Sequence, residues 1–325
     1  MIKYTLTVIV VLLGLTWPSF VWSDDQPLEV QIVDALHKAF GTHPGFRANH
    51  AKGVVVQGNF KASSDAPLLS KAKLFGGSII PVTVRFSDST GIPNLPDGSP
   101  LANPHGMAIK FHLPDGDVDM VTNSLKFFPV SSGTEFRDLF LAIAASPPDA
   151  PKPTKLDQFK AAHPTVAAAS ATVATPDSFA DEEYHGINAF IFVNKAGERQ
   201  AVRYLIRPER VVHLDPADAA KRPPNFLVDE LPQRVEQGPV TFHLAVQLAS
   251  SSDSTKDPTQ PWPDDQRVVD LGTLTIEKSV ADNTEAEKSL LFLPGQLIDG
   301  IEPSDDPLID VRDRTYPVSF SKRNT

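Results

Sequence analysis

The chain has 325 residues, room for one large domain or two modest ones. Hydrophobic residues make up 41% and charged residues 22%, which allows a packed core and excludes global disorder. A net charge of −10 offers no basic stripe to a phosphate backbone, which excludes nucleic acid as a partner.

In chain order, residues 1–23 have the pattern of a secretory signal. Lys3 supplies a positive start, residues 6–15 are an apolar run, and Ser23 is a small residue before the acidic pair Asp24-Asp25. The run is too short to span a membrane. An uncleaved interfacial anchor is the other reading. The expectation is a mature single domain over 24–325, periplasmic or secreted, with no membrane span once the signal is gone. Export would permit disulfides, but the chain has no cysteine, which also removes iron–sulfur and Cys-zinc sites.

The segment 30–40 places Ile32, Val33, Leu36 and Phe40 at helical spacing. Strands are expected over 53–60, 79–86, 106–113, 118–121, 188–193, 200–206, 240–248 and 268–276, from β-branched runs and period-two alternation. Asp115-Gly116 and the stretch 194–197 read as hairpin turns. Helices are expected over 136–145, 156–162 and 165–173, with a linker-like run over 147–153 between the first two. Thirty prolines against 18 glycines favour β-structure with stiff loops over a helical bundle. No repeat of 20–50 residues is visible, which argues against a propeller or solenoid. The fold class that follows is α+β: an eight-stranded antiparallel β-barrel with appended helices.

Four separated segments carry polar residues of uncertain purpose. In Arg47-Ala-Asn-His50 an arginine and a histidine flank the entrance to an apolar strand, where a structural histidine is the alternative. Arg85 sits at the end of a strand that should be buried, so it needs an anion, either a ligand or a structural aspartate. Asn123 ends another strand, where turn chemistry is the usual role. The last segment reads as a short helix, capped by Asp305 or Asp306, with Pro307 at its first position and Pro317 as its stop. Arg312 and Tyr316 share one face of it. A guanidinium beside a phenol favours the phenolate, which is one of the few protein ligands haem iron accepts. A surface helix end with a half-buried tyrosine is the other reading of this stretch alone. Together the segments match a haem pocket that splits peroxide: Tyr316 with Arg312 on one face, His50 and Asn123 on the other, and Arg47, Arg85 and Arg323 for two propionates.

The chain resembles the haem catalase family, and within it the short exported catalase-related peroxidases. The matching motifs are Arg47-x-x-His50-Ala-Lys-Gly53, Pro81-Val-x-x-Arg85-Phe-Ser87, Pro104-x-Gly106-x-Ala-x-Lys110-Phe111, Asp119-x-Val-x-Asn123, Tyr184-His-Gly-Ile-Asn, Val193-Asn-x-x-Gly197-Glu198, Asp257-Pro-Thr with Trp262-Pro263, and Arg312-x-x-x-Tyr316. They run from about Pro44 to Arg323. The resemblance implies haem b (iron) inside the barrel, with Tyr316 as metal ligand and Arg312 keeping it ionised. It implies His50 and Asn123 as catalytic residues, Ser87 orienting His50, Phe136 packed over the haem, and Arg47, Arg85 and Arg323 on its propionates.

Two departures bear on access to the site. Asn103 replaces the family's acidic channel residue, and Asn49 replaces the branched apolar residue before the distal histidine. The chain also lacks the long arms and C-terminal domain of the large family members. The expected activity is therefore that of a haem peroxidase, reducing hydrogen peroxide or organic hydroperoxides with a small organic electron donor, with weak catalase activity. The expected assembly is a monomer or dimer. A haem-binding or haem-sensing protein, and a hydroperoxide-rearranging enzyme of the same fold, are the alternatives. The remaining histidines have no metal-ligand spacing; among them His105 stands where the family often has arginine.

Overall fold

Residues 26–323 are described by this computed structural model; the expected signal segment and its cleavage site lie outside the described residues. The first element is α1 (Leu28–Phe40), followed by β1 (Gly53–Ala62), α2 (Ala66–Leu69), β2 (Ile79–Asp88), β3 (His105–Leu113) and β4 (Gly116–Asn123). Three helices come next: α3 (Gly133–Ala144), α4 (Lys155–Ala162) and α5 (Pro164–Ser170). The second half contains β5 (Tyr184–His185), β6 (Phe190–Val193), β7 (Arg199–Pro208), α6 (Pro216–Ala219), α7 (Phe226–Gln237), β8 (Val240–Leu248), β9 (Val268–Ser279), α8 (Asn283–Ser289), β10 (Ile301–Pro303) and α9 (Pro307–Arg323).

The strands close on themselves. The antiparallel order β5-β4-β3-β2-β1-β9-β8 is completed by β7, which pairs with β8 on one side and with β5 and β6 on the other. This is the expected eight-stranded barrel, with β10 added outside β6. The β3–β4 hairpin pairs Leu113 with Gly116, so its two-residue turn is Pro114-Asp115, one position earlier than expected.

Alternation gives the barrel wall two different faces. Val54, Val82, Val84, Phe86, Met107, Ile109, Val118 and Met120 point inward and are buried. Phe86 on β2 lies 5.9 Å from Phe242 on β8, and these strands are not neighbours, so the contact crosses the bore. The bore is thus filled with side chains. Because strand side chains alternate, Arg85, Ser87, Ala108, Val121 and Asn123 lie on the outer face. There α1, α3 and α9 build a second apolar layer around Ile32, Leu36, Phe140 and Val318. The space between wall and helices holds the main cavity. The cavity thus lies beside the bore, against the outer face of β2–β4.

Two further expectations are corrected. Helix α9 does not stop at Pro317 but runs through it to Arg323. The proline forfeits one hydrogen bond, yet Val318 packs into the layer with α1, and Arg323 is tied to the Leu290 carbonyl at 2.5 Å. Helix α7 was not among the expected helices, and it contains Pro232 in its interior. Leu227, Leu231 and Val235, at helical spacing, bury one face of it, and the distant Asp97 accepts a hydrogen bond from Leu227 N at 2.8 Å.

Phe86 is fully buried among Phe179, Tyr184 and Phe242. Phe86→Ala should cost about 3–5 kcal/mol, read as a lower denaturant midpoint with unchanged slope. A loss below about 1 kcal/mol would mean that the bore is not packed as described.

Candidate active site

All nine residues singled out by sequence line one cavity of about 950 Å³. The barrel wall contributes Arg85, Ser87 and Asn123, and the segment leading into β1 contributes Arg47 and His50. Helix α3 adds Phe136, and α9 adds Arg312, Tyr316 and Arg323 from the opposite side.

On the helical side, Arg312 Nε donates to the Tyr316 hydroxyl at 2.8 Å, the i, i+4 contact expected from sequence. Arg312 is itself held: its guanidinium donates to Asn188 Oδ1, and Asn188 Nδ2 donates to buried Asp306 at 2.6 Å. The other oxygen of Asp306 accepts from Leu308 N at 2.9 Å, so the residue that caps α9 also ends the chain of bonds orienting Tyr316. Asp305 bonds Thr255 instead.

On the wall side, His50 Nδ1 lies 3.0 Å from Ser87 Oγ, and Nε2 lies 3.4 Å from Ser89 Oγ. The backbone at His50 has φ 56°, a left-handed conformation uncommon for a residue with a side chain. Arg85 secures it by donating to the His50 carbonyl at 2.8 Å. Gly106, beside Ser87 on β3, leaves room for the pair: an added Cβ would come within 2.9 Å of Ser87 Oγ and 3.0 Å of His50 Nδ1. Asn123 Oδ1 accepts from Leu125 N at 2.8 Å, which leaves its NH₂ group for the cavity. Phe136 stacks on Phe128 at 5.6 Å and meets Phe140 edge-on at 4.8 Å.

Burial lowers the His50 pKa to about 3, and Arg85, Arg312 and Arg47 push in the same direction. The ring is neutral at ordinary pH and can accept a proton. At one end of the cavity Arg47, Arg85 and Arg323 converge. Burial and the neighbouring Arg85 lower Arg47 well below its usual value, and burial lowers Arg323 to about 10. Three buried guanidiniums require anions. Glu287 of α8 supplies one, bonding Arg85 Nε at 2.7 Å and Arg47 through its other oxygen. Burial alone would raise the Glu287 pKa, but Arg85 and Arg47 outweigh it and the net shift is downward. Arg323 Nε is buried without a partner.

These features fit a large apolar group bearing carboxylates. Its carboxylates would meet the arginines, its faces would lie between Tyr316 and His50, and its body would rest on Phe136 and the apolar lining. No carboxylate lines the cavity among the described residues to oppose it.

Glu287, Asn188 and Ser89 were not recognised as site residues from sequence. Asn188 stood in a matched motif without an assigned purpose. Glu287 lies in an unexpected helix, with nothing local to distinguish it from a surface glutamate. His105 does not line the cavity. It is buried on the bore side, its Nδ1 4.0 Å from Asp88 Oδ1, with neither ring nitrogen hydrogen-bonded.

The catalase family model matches residues 31–324. The chain is 38% identical over 299 residues to a catalase-related peroxidase of Mycolicibacterium paratuberculosis, covering 90% of this chain and 94% of that protein. It is 34% identical to a catalase-related peroxidase of Synechococcus elongatus, covering 90% and 88%. A catalase of Pseudomonas syringae pv. syringae is 28% identical, and there the match covers 89% of this chain but 59% of the relative. A fungal catalase crystal structure superimposes with a TM-score of 0.77 at 21% identity, over 86% of this chain and 59% of that one.

Burial holds both His50 and His105 at a pKa of about 3, below the ordinary value of 6.5. The unfolded chain therefore binds more protons below pH 6.5, and stability should fall as pH drops from there towards 3. Ring-proton NMR of the ligand-free protein should show no His50 inflection between about pH 5 and 8. An inflection near the ordinary histidine value would contradict the burial.

Proposed function

The chain belongs to the catalase family, and from that premise we propose that it is an exported haem peroxidase. It reduces hydrogen peroxide or organic hydroperoxides at the expense of a small organic electron donor, with weak catalase activity. The observation that carries this reading is the two-sided cavity. The Arg312–Tyr316 pair stands on one side, and the Ser87–His50 pair with the Asn123 amide stands on the other.

Haem b, when bound, supplies the iron and the electron storage that cleavage of an O–O bond requires. Tyr316 would hold that iron through its side-chain oxygen, to which Arg312 Nε donates a hydrogen bond. Arg47, Arg85 and Arg323 would bind the propionates, as Glu287 binds two of them here.

The remaining steps belong to the chain itself. His50, kept neutral by burial, accepts the proton of the peroxide hydroxyl seated beside it and returns it to the departing oxygen. Ser87 fixes the ring orientation for both transfers. Asn123 donates its NH₂ to the oxygen on which charge develops. Phe136 and Phe128 keep bulk water off that side. A protein that only bound or sensed haem would have no use for His50 and Asn123 in this arrangement. Residues 1–23 support export to a periplasm or beyond.

Tyr316→Phe should lose or loosen haem, read as a reduced Soret band after purification. His50→Ala should retain the band while peroxide turnover falls by about 10²–10⁴-fold. Undiminished turnover in His50→Ala would sink the assignment.

A further inference from the structure

Across the wall from His50 lies a buried cluster that the peroxide chemistry does not use. Asp88, Asp97 and His105 are fully enclosed, and Lys52 is 9% exposed. The Lys52 ammonium pairs with Asp97 and also donates to the Pro224 carbonyl at 3.2 Å. It lies 3.6 Å from Asp88 Oδ2. His105 faces Asp88 from β3, with Nδ1 4.0 Å from Oδ1, and His213 stands beyond it. On β5 the Tyr184 hydroxyl is near enough to feel the Asp88 charge, although its proton goes to the Phe179 carbonyl at 2.9 Å. Neither oxygen of Asp88 receives a hydrogen bond from the described residues.

Fully ionised, the two carboxylates would face one ammonium and a neutral imidazole, since burial holds His105 at a pKa of about 3. A net negative charge sealed from water is costly, and a bound proton removes it. The geometry says which carboxyl carries that proton. Asp97 has the Lys52 ammonium on one oxygen and the Leu227 N–H on the other, at 2.8 Å. Asp88 has only its longer contact to Lys52. The Asp97 carboxyl faces it, so a proton on Asp88 would make a hydrogen bond between the two. Burial and the Asp97 charge accordingly raise the pKa of Asp88 to about 8.

The same cluster is fastened to His50. Ser87 and Ser89, which contact its two ring nitrogens, flank Asp88 in the chain. Asp88 N donates to the Lys52 carbonyl at 3.1 Å, and Ala51 N donates to the Thr90 carbonyl at 2.8 Å, so the segments 50–52 and 87–90 are bonded together. A charged Asp88 would compete with Asp97 for Lys52, two residues beyond the left-handed backbone of His50. We propose that Asp88 works as an un-ionised acid sharing its proton with Asp97, and that this pair is a positioning device that keeps His50 aligned until the proton is lost. Its effect on turnover rests on the peroxidase reading, whereas its protonation state does not.

Infrared spectroscopy of the ligand-free protein tests the protonation. The difference between the unmodified protein and Asp88→Asn should show the C=O stretch of an un-ionised carboxylic acid near neutrality, fading with a midpoint of about 8. Where Asp88→Asn does not fold, the difference between neutral and alkaline spectra of the unmodified protein reads the same band. Asp97→Asn removes the neighbouring charge but keeps an oxygen to cap α7, and it should lower the midpoint by at least about one pH unit. Absence of the acid band near neutrality overturns the proposal, and so does a midpoint unmoved in Asp97→Asn. In the haem-loaded protein, the ratio of peroxide turnover at about pH 9 to that at about pH 7 should be about tenfold higher in Asp88→Asn than in the unmodified protein, because the amide stays neutral. In Asp97→Asn the alkaline fall in turnover should move to lower pH together with the band. Equal ratios in Asp88→Asn and the unmodified protein, or a fall that does not follow the band, overturn the positioning role. No turnover in the unmodified protein at either pH overturns the peroxidase reading and the positioning role with it, while the infrared band still decides the shared proton.

Discussion

The site depends on a barrel wall that is buried on both faces. Along β2, Val82, Val84 and Phe86 fill the bore, while Arg85 and Ser87 face the cavity. A one-residue slip in register would exchange the two sets, placing a guanidinium in the apolar bore and a phenylalanine against His50. The packing of the bore therefore fixes the positions of the polar groups outside it. The cross-bore contacts of Phe86 with Tyr184 and Phe242 hold that register although they are remote from any chemistry.

Charge is distributed unevenly around the cavity. Cations gather at one end, where Arg47, Arg85 and Arg323 share Glu287 and the carbonyls of residues 288 and 290. Buried guanidiniums crowded together repel one another, and the downward shifts of Arg47 and Arg323 record that together with burial. Glu287 relieves part of the repulsion and shows what kind of group the remainder calls for. Away from that end the lining is mostly apolar, with Asn49, Asn103 and Lys160 among its polar members.

Much of this was legible in the sequence, for reasons that differ by element. β2 was legible from its period-two alternation and β1 from its valine run, and each expected strand falls within two residues of the observed one at its start. Arg85, Asn123 and the Arg312–Tyr316 pair were marked by strand ends and i, i+4 spacing, whereas Ser87 and Phe136 were singled out only by the family resemblance; all of them line the cavity. What escaped is nonlocal. Helix α7 draws on a distant cap at Asp97 and on burial against the barrel, both of which override the helix-breaking tendency of Pro232. Helix α9 continues past Pro317 because its last turn has partners on α1 and at Leu290. Glu287 is an ordinary glutamate until the fold sets it between two arginines. β5 is too short to show a period, yet its pairing of His185 with Asn123 closes the barrel at the strand that carries a site residue.

The strained backbone at His50 follows from the same geometry. A left-handed φ on a non-glycine residue costs about 1–3 kcal/mol and persists only when its surroundings over-determine it. Three hydrogen-bonding contacts do so here: Arg85 to the His50 carbonyl, and Ser87 and Ser89 to its two ring nitrogens. All three partners come from β2 and the residue just after it, so one strand positions both the backbone and the ring. The same Arg85 bonds Glu287 at the cationic end of the cavity. One guanidinium thus links the group that holds anions to the histidine that handles protons. The two contacts use different nitrogens, Nε for Glu287 and a terminal NH₂ for the His50 carbonyl, so one side chain serves both without sharing a donor.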